Sequence, residues 1–208
     1  MKRNILLTVL LLLTASALVA APSSPSGATP ISFGIFTPVQ VPAPEYDCTG
    51  LRINLLAGHT YGSYGLTIGP VNFTDQENMG LTLGLVNLDY GYTAGAQLGL
   101  FSMTNGHFDG LQHNLVSLVG GDFRGLQSGV FFAKVAGELE GVSLGLISVT
   151  DETRGLQASV VNIAQEVHGC QIGLVNFTRV MSGVQIGVFN VITESPIPFF
   201  PIVNIYIP

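Results

Sequence analysis

Gly-Cys-Gln-Ile-Gly-Leu-Val-Asn-Phe-Thr, at residues 169–178, is the stretch that decides the fold of this 208-residue chain. A close copy, Gly-Val-Gln-Ile-Gly-Val-Phe-Asn-Val-Ile, begins fourteen residues later and occupies residues 183–192. Weaker copies recur back to about residue 50, and each begins with a glycine that we call the repeat glycine. The repeat glycines are Gly50, Gly65, Gly80, Gly95, Gly110, Gly125, Gly141, Gly155, Gly169 and Gly183. Ten units with a period of 14–16 residues predict a repeat architecture.

Each position within a unit, counted as an offset from the repeat glycine, has a constant character. Offsets one and three are mostly aliphatic, offset four is usually a second glycine, and offsets five and six are both apolar. Offset two is mainly Gln, which we call the glutamine ladder, and offset seven is often Asn, which we call the asparagine ladder. The ladder residues are Gln97, Gln112, Gln127, Gln157, Gln171 and Gln185, and Asn72, Asn87, Asn162, Asn176 and Asn190. Period-two alternation and glycines that would each cost a helix about 1 kcal/mol predict an all-β fold.

Two all-β architectures fit these units. The preferred one is a β-solenoid, in which equal offsets stack, the apolar side chains point inward and the two ladders lie outside. The alternative is a twelve-stranded antiparallel β-barrel of the outer membrane, made of the ten units and two terminal strands at 31–41 and 199–207. The two architectures differ at Gln171 and Gln185, which stack in parallel register in a solenoid and lie on antiparallel strands in a barrel.

The start of the chain predicts export. Residues 1–21 have the features of a signal peptide, with Lys2 and Arg3 before an apolar run at 5–13. Residues 22–30 are predicted to be a flexible leader, and residues 31–208 a single repeat-built β domain with its ten repeats at 50–192. Removal of the signal peptide changes the formal net charge from −6 to −8, which disfavours nucleic acid as a partner.

No constellation for chemistry stands out in the sequence. His59, like most of the carboxylates, falls in or beside a polar turn, so we expect it to be solvated. No Cys, His or carboxylate set recurs at metal-ligand spacing, and no catalytic residue, metal site or cofactor is predicted. Cys48 and Cys170 permit one disulfide in an oxidising compartment, although Cys170 replaces an aliphatic residue and is better interpreted as a small buried hydrophobe.

The units at 169–177 and 183–191 resemble the Gly-Leu-Gln-Ile-Gly-Leu-Val-Asn surface repeats of exported proteins from spirochaetes and other two-membrane bacteria. Residues 50–58 and 64–69 are similar to the opening of that family, and residues 198–204 to its close. The resemblance implies a location in the outer membrane or at the cell surface. It supplies no catalytic residues.

These observations lead to a functional expectation. The sequence predicts a non-enzymatic repeat protein of the cell envelope or surface, with a structural or adhesive role and with outer-membrane or cell-surface components as partners. The alternative is an outer-membrane pore or channel, which requires the barrel. A weaker alternative is a sugar-binding module that uses exposed Gln and Asn ladders.

Overall fold

A computed structural model describes residues 26–207 of the chain. The predicted signal peptide and the first four residues of the predicted leader lie outside the described residues. The described part is all-β, with 79% of residues in strands and no helix. The strands are β1 Gly27–Phe36, β2 Val39–Val41, β3 Tyr46–Asn54, β4 Ala57–Thr60, β5 Ser63–Ile68, β6 Val71–Thr74, β7 Asn78–Leu83, β8 Val86–Asp89, β9 Thr93–Leu98, β10 Phe101–Thr104, β11 Phe108–Val119, β12 Phe123–Ile172, β13 Val175–Ile192 and β14 Phe199–Tyr206.

The chain winds into a β-solenoid of about 11 turns of ~15 residues. From β3 to β10 each coil contributes a longer strand around the repeat glycine and a shorter strand after it. The longer strands pair in the order β3, β5, β7, β9 and β11, and the shorter strands pair in the order β4, β6, β8, β10 and β11. In β11, β12 and β13 the chain stays extended through the bend between these two segments. Every coil therefore has two sides, which meet at a bend and are closed by a polar turn.

The register of the ladders decides between the two architectures that the sequence left open. Gln171 pairs with Gln185 in parallel, and Asn162 pairs with Asn176 in the same way. The preferred solenoid is therefore confirmed, and the antiparallel barrel is wrong. The same residue types recur at the same offset because each coil lies directly on the previous one, and stacking coils satisfies the backbone hydrogen bonds of both.

The repeat glycines are required by the backbone at the point where coils stack. From Gly65 to Gly183 all nine have positive φ values, between 123° and 156°, a region that L-residues with a Cβ rarely adopt. A Cβ on Gly110 would also overlap the carbonyl oxygen of Gly95 in the preceding coil. Glycine is therefore the residue that allows both the backbone conformation and the close approach of successive coils.

The two ends of the solenoid differ from the predicted boundaries. β1 begins at Gly27, so the last four residues of the predicted leader belong to a strand that pairs in parallel with β3. The single strand predicted at 31–41 is two strands, because the chain reverses at Thr37-Pro38 and β2 returns antiparallel to β1. At the other end, β14 pairs antiparallel with β13 and lies over the last coil, ending at Tyr206.

A Gly110→Ala substitution tests this account of the repeat glycine. Because the new Cβ would meet the Gly95 carbonyl at a positive φ, we expect the free energy of unfolding to fall by about 3 kcal/mol or more, or the chain to fail to fold. Gly27→Ala is the control, since its nearest atoms are ring carbons of Tyr46 that can move. Urea denaturation followed by circular dichroism measures both, and equal stability of the two variants would contradict the account.

Candidate functional site: the polar interior and the apolar outer surface

The interior of the solenoid is filled largely by polar side chains. All six glutamines of the glutamine ladder have 0% of their surface exposed. The five asparagines of the asparagine ladder are buried as well, at 2% or less. The expectation that these ladders lie outside is therefore wrong, and the ladders do not supply the exposed amides that the sugar-binding alternative requires.

Most of the buried amide groups form hydrogen bonds that run along the solenoid axis, although the side-chain oxygens of Gln127, Asn162 and Gln185 have no partner. Gln112 Nε2 donates to Gln97 Oε1 at 2.9 Å, and Gln127 Nε2 donates to Gln112 Oε1 at 3.2 Å. Further along, Gln185 Nε2 donates to Gln171 Oε1 at 2.8 Å. An amide carries both a donor and an acceptor, so identical stacked amides can pair from coil to coil. This pairing offsets the cost of removing them from water.

The asparagine ladder forms a second chain of hydrogen bonds. Asn162 Nδ2 donates to Asn176 Oδ1 at 2.8 Å, and Asn176 Nδ2 donates to Asn190 Oδ1 at 2.7 Å. Asn72 Nδ2 donates to Asn87 Oδ1 at 2.9 Å in the early coils. The two ladders therefore face the interior from the two sides of the coil.

At two further offsets, the inward side chains change from polar in the early coils to mostly apolar in the later coils. Two residues before the repeat glycine, the early coils place small polar residues, and later coils place Phe108, Phe123 and Leu139. Phe108 and Phe123 stack with ring centroids 5.2 Å apart, and Val119 and Val135 complete this apolar cluster. A second cluster consists of Ala164, Val167, Met181 and Ile192. Apart from Phe73 and Ala133, the buried apolar side chains lie at two offsets, two residues before the repeat glycine and in register with Val119.

The first coils bury charged groups that the sequence analysis did not single out. Arg52 stands at the offset of the glutamine ladder and is 1% exposed. Its Nη2 donates to the carbonyl of Phe73 at 3.1 Å. Burial lowers the pKa of Arg52 to about 10, and the nearby Cys48, Asp89 and Asp75 partly oppose this change. The signal in the sequence was a basic residue at an offset otherwise filled by Gln, Thr or Ser.

Asp89 is the buried carboxylate of this region, at the offset where other coils place Thr or an aliphatic residue. It accepts hydrogen bonds from Asn78 Nδ2 at 3.0 Å and from Gln97 Nε2 at 2.6 Å. Burial raises the pKa of Asp89 to about 6, although hydrogen bonds from Asn78, Thr74 and Gln97 and the charge of Arg52 act in the opposite direction. Desolvation is the dominant cause. Removal of the carboxylate from water raises its pKa by more than the hydrogen bonds and the charge of Arg52 lower it.

His59 is buried, contrary to the expectation of a solvated turn residue. Its Nε2 lies 2.8 Å from Asp75 Oδ1, and its ring packs edge-on against Phe73. The reason is β2, whose Gln40 bonds to the backbone N–H and carbonyl of His59. Among the described residues no group of three or more His, Cys, Asp or Glu side chains is placed to hold a metal ion. The cysteines do not pair: Cys48 is a buried free thiol and Cys170 is a partly exposed one.

The outer surface of the solenoid is apolar, whereas its interior is largely polar. The aliphatic residues at offsets one and three are half-buried or exposed, and most of those at offset five are exposed, as shown by Leu174 at 55% and Leu85 at 53%. Successive side chains of a strand point to opposite sides, so burying offsets two and seven turns offsets one, three and six outward. The expectation that these apolar residues form the core is therefore wrong.

We call the bend at offsets four to six the apex of the coil, and the polar turn that closes the coil the base. At the C-terminal end the apex carries an open groove of about 760 Å³. Its lining includes Gly173 and Gly187, with Ile172, Leu174, Ile186 and Val188 around them. The groove exists because the offset-four glycines lack side chains between two rows of aliphatic residues.

Comparisons of this chain with protein-family models, with curated proteins and with solved structures found no match. The described residues also include no helix with the length and apolar character needed to cross a bilayer. The main feature of the site is the contrast between a hydrogen-bonded interior and an apolar exterior.

The buried carboxylate of Asp89 predicts a pH dependence of stability. Its folded pKa of about 6 exceeds the unfolded value, so the folded state binds the proton more tightly. The free energy of unfolding should therefore rise as the pH falls, by about 1 kcal/mol between pH ~7.5 and pH ~5, relative to an Asp89→Asn variant that cannot titrate. Arg52 titrates only at much higher pH and does not contribute in this window.

Urea unfolding of both proteins at a series of pH values measures this difference. The contribution of Asp89 should be complete once the pH is below the unfolded value, and absent once it is well above 6. Two parallel stability curves would contradict the assignment of a raised pKa to this carboxylate.

Proposed function

We propose that this protein is a non-enzymatic structural and interaction component of the bacterial cell envelope, acting as a short rod that associates through its outer surface. The observation that carries the proposal is the apolar exterior of the coils. Monomeric soluble proteins rarely expose continuous apolar patches larger than a few hundred Å², and larger ones mark interaction sites. Here exposed aliphatic residues recur on coil after coil from Leu55 to Val188.

The charge distribution supports association along the length of the rod. Exposed ion pairs recur around the base, such as Arg154 Nε with Glu138 Oε1 at 2.9 Å and Arg179 Nη1 with Glu194 Oε1 at 2.7 Å. Such exposed pairs contribute little to stability, but they keep the base hydrated. Because the base is hydrated and the rest of the outer surface is apolar, the rod should associate through its apolar surface and keep the base in water.

The repeat structure supports a role without catalysis. Most of the amides and hydroxyls of the interior are hydrogen-bonded within the fold, as Gln112 is to Gln97 and Ser143 to Ser148. The His59–Asp75 pair lies between Gln40 and Phe73 and is part of the packing of the first coils. The resemblance of the units to exported surface repeats agrees with an envelope location.

Cell fractionation tests the proposal. An antibody raised against the chain should detect the protein in the envelope fraction of the producing bacterium, in a form smaller than the full chain by the residues of the signal peptide. Extraction should require detergent because the outer surface is apolar. Recovery of the full-length protein in the cytoplasmic fraction would contradict the proposed function.

A further inference from the structure

The apolar side chains and the charged side chains of the solenoid occupy separate offsets along most of its length, and Lys134, which is in register with Leu118, is an exception. At offsets one, three, five and six, the nine units from Gly65 to Gly183 contain no Asp, Glu, Lys or Arg. Apart from the buried Asp89 and the exposed Lys134, the charged residues of these units fall at the base or just before the repeat glycine. The boundary between apolar and charged surface therefore runs parallel to the solenoid axis.

The length of this boundary follows from the strand spacing. Ten repeat glycines define nine steps between coils, and neighbouring strands lie ~4.8 Å apart, so the apolar surface extends for about 43 Å. A straight boundary of this length divides the rod into a hydrated base and an apolar apex. Such a division matches a planar interface between water and hydrocarbon.

The backbone at the apex needs no hydrogen bonds from a partner. The N–H of Leu100 donates to the carbonyl of Leu85 at 3.0 Å, and the N–H of Phe189 donates to the carbonyl of Leu174 at 2.9 Å. The N–H of Leu174 is bonded to the carbonyl of Val160 at 2.9 Å. Because hydrocarbon offers no hydrogen bonds, only a backbone that is satisfied internally can enter it. The bend of this solenoid meets that requirement where most bends and loops do not.

The side chains of the apex favour hydrocarbon over a protein partner. A specific protein interface has a polar rim and about one hydrogen bond per 100–200 Å². The groove at the apex offers a single side-chain hydroxyl, that of Ser159, among its lining residues. The remaining lining is aliphatic side chain, proline or glycine, which suits flexible acyl chains.

Tyrosines near the base are placed as interfacial residues. Tyr64 Oη donates to Glu77 Oε2 at 2.9 Å, and Tyr92 Oη donates to Asp109 Oδ2 at 2.6 Å. Tyrosine is enriched where an apolar environment meets water because its ring is apolar and its hydroxyl is polar. Their positions agree with an interface that lies between base and apex.

From this partition we propose that the apex side of the solenoid embeds in the hydrocarbon of a lipid layer, with the solenoid axis parallel to the layer and the base in water. The proposal rests on the proposed function, because it names the partner of the same apolar surface. The net negative charge excludes attraction to anionic headgroups as the cause. Burial of apolar area is therefore the driving force.

Flotation with vesicles of zwitterionic phosphatidylcholine tests the proposal. The processed protein, purified from the envelope in mild detergent and diluted into vesicles, should float with them equally at low salt and at about 1 M salt, because screening acts on charges and not on apolar burial. Replacing Leu85, Leu100, Leu146 and Leu174 together by Gln should reduce partitioning at least about tenfold. The same four positions replaced by Met provide the matched control, which stays apolar and should bind.

The absence of Trp from the sequence permits a second measurement that does not depend on affinity. Leu174→Trp places a fluorophore at the apex, and Asp151→Trp places one at the base. Phosphatidylcholine with brominated acyl chains should quench the first strongly and leave the second nearly unchanged. Circular dichroism confirms that each variant is folded before it is used.

Three results would overturn the proposal. They are failure of the wild-type chain to float, equal flotation of the Gln and Met variants, and equal quenching at apex and base. A detergent-free dimer that protects the apex from labelling would identify a second copy as the occupant instead. All of these outcomes leave the proposed function intact if the protein fractionates with the envelope, whereas recovery in the cytoplasm would contradict that function itself.

Discussion

The hydrogen bond from one buried glutamine amide to the next is the interaction on which the rest of this structure depends. A buried amide without a partner costs about 1–3 kcal/mol, so a polar interior is stable only when the amides find each other. Gln112 meets this condition by donating to Gln97 and accepting from Gln127. Identical amides pair in this way only when successive coils keep the same offset, and the nearly constant period of 14–16 residues meets that condition.

The same constraint explains the exterior. Once offsets two and seven point inward, the alternation of a strand turns their aliphatic neighbours outward. The apolar residues then stabilise the fold little by burial within the chain, and they remain available for association. Stability comes from the coil-to-coil hydrogen bonds and from the two apolar clusters around Phe108 and Met181. The fold and the proposed function thus both follow from the burial of offsets two and seven.

The sequence was sufficient for the all-β class, the repeat and its period, because repeat glycines and alternation depend on backbone geometry alone. It was not sufficient for the direction of the side chains. Alternation defines two faces of a strand but does not show which face is inside. The usual preference for apolar interiors favoured the aliphatic face, whereas the face with Gln and Asn is the buried one. The signal that could have corrected it was the constancy of Gln at offset two, since an exposed position has no need to keep one amide.

The buried charges were missed for a related reason. Arg52 occupies the offset of the glutamine ladder, which had been assigned to the outside, where a charge requires no explanation. Asp89 lies two residues after the asparagine ladder, beside a polar turn, where a carboxylate was also expected to be solvated. His59 looked like a turn residue because the return of β2 over the first coils is a tertiary feature. Its cover comes from Gln40, nineteen residues earlier in the chain, and no local pattern predicts such a contact.

The most direct test of the inverted arrangement is a pair of neighbouring substitutions, Gln112→Leu and Leu111→Gln. Gln112 is fully buried, and its replacement leaves the amides of Gln97 and Gln127 without their partner, so the free energy of unfolding should fall by about 3 kcal/mol. Leu111 is 37% exposed and should tolerate Gln with a loss below about 1 kcal/mol. Urea denaturation of the two variants measures both values. A larger loss for Leu111→Gln than for Gln112→Leu would place the aliphatic residues inside and contradict the account.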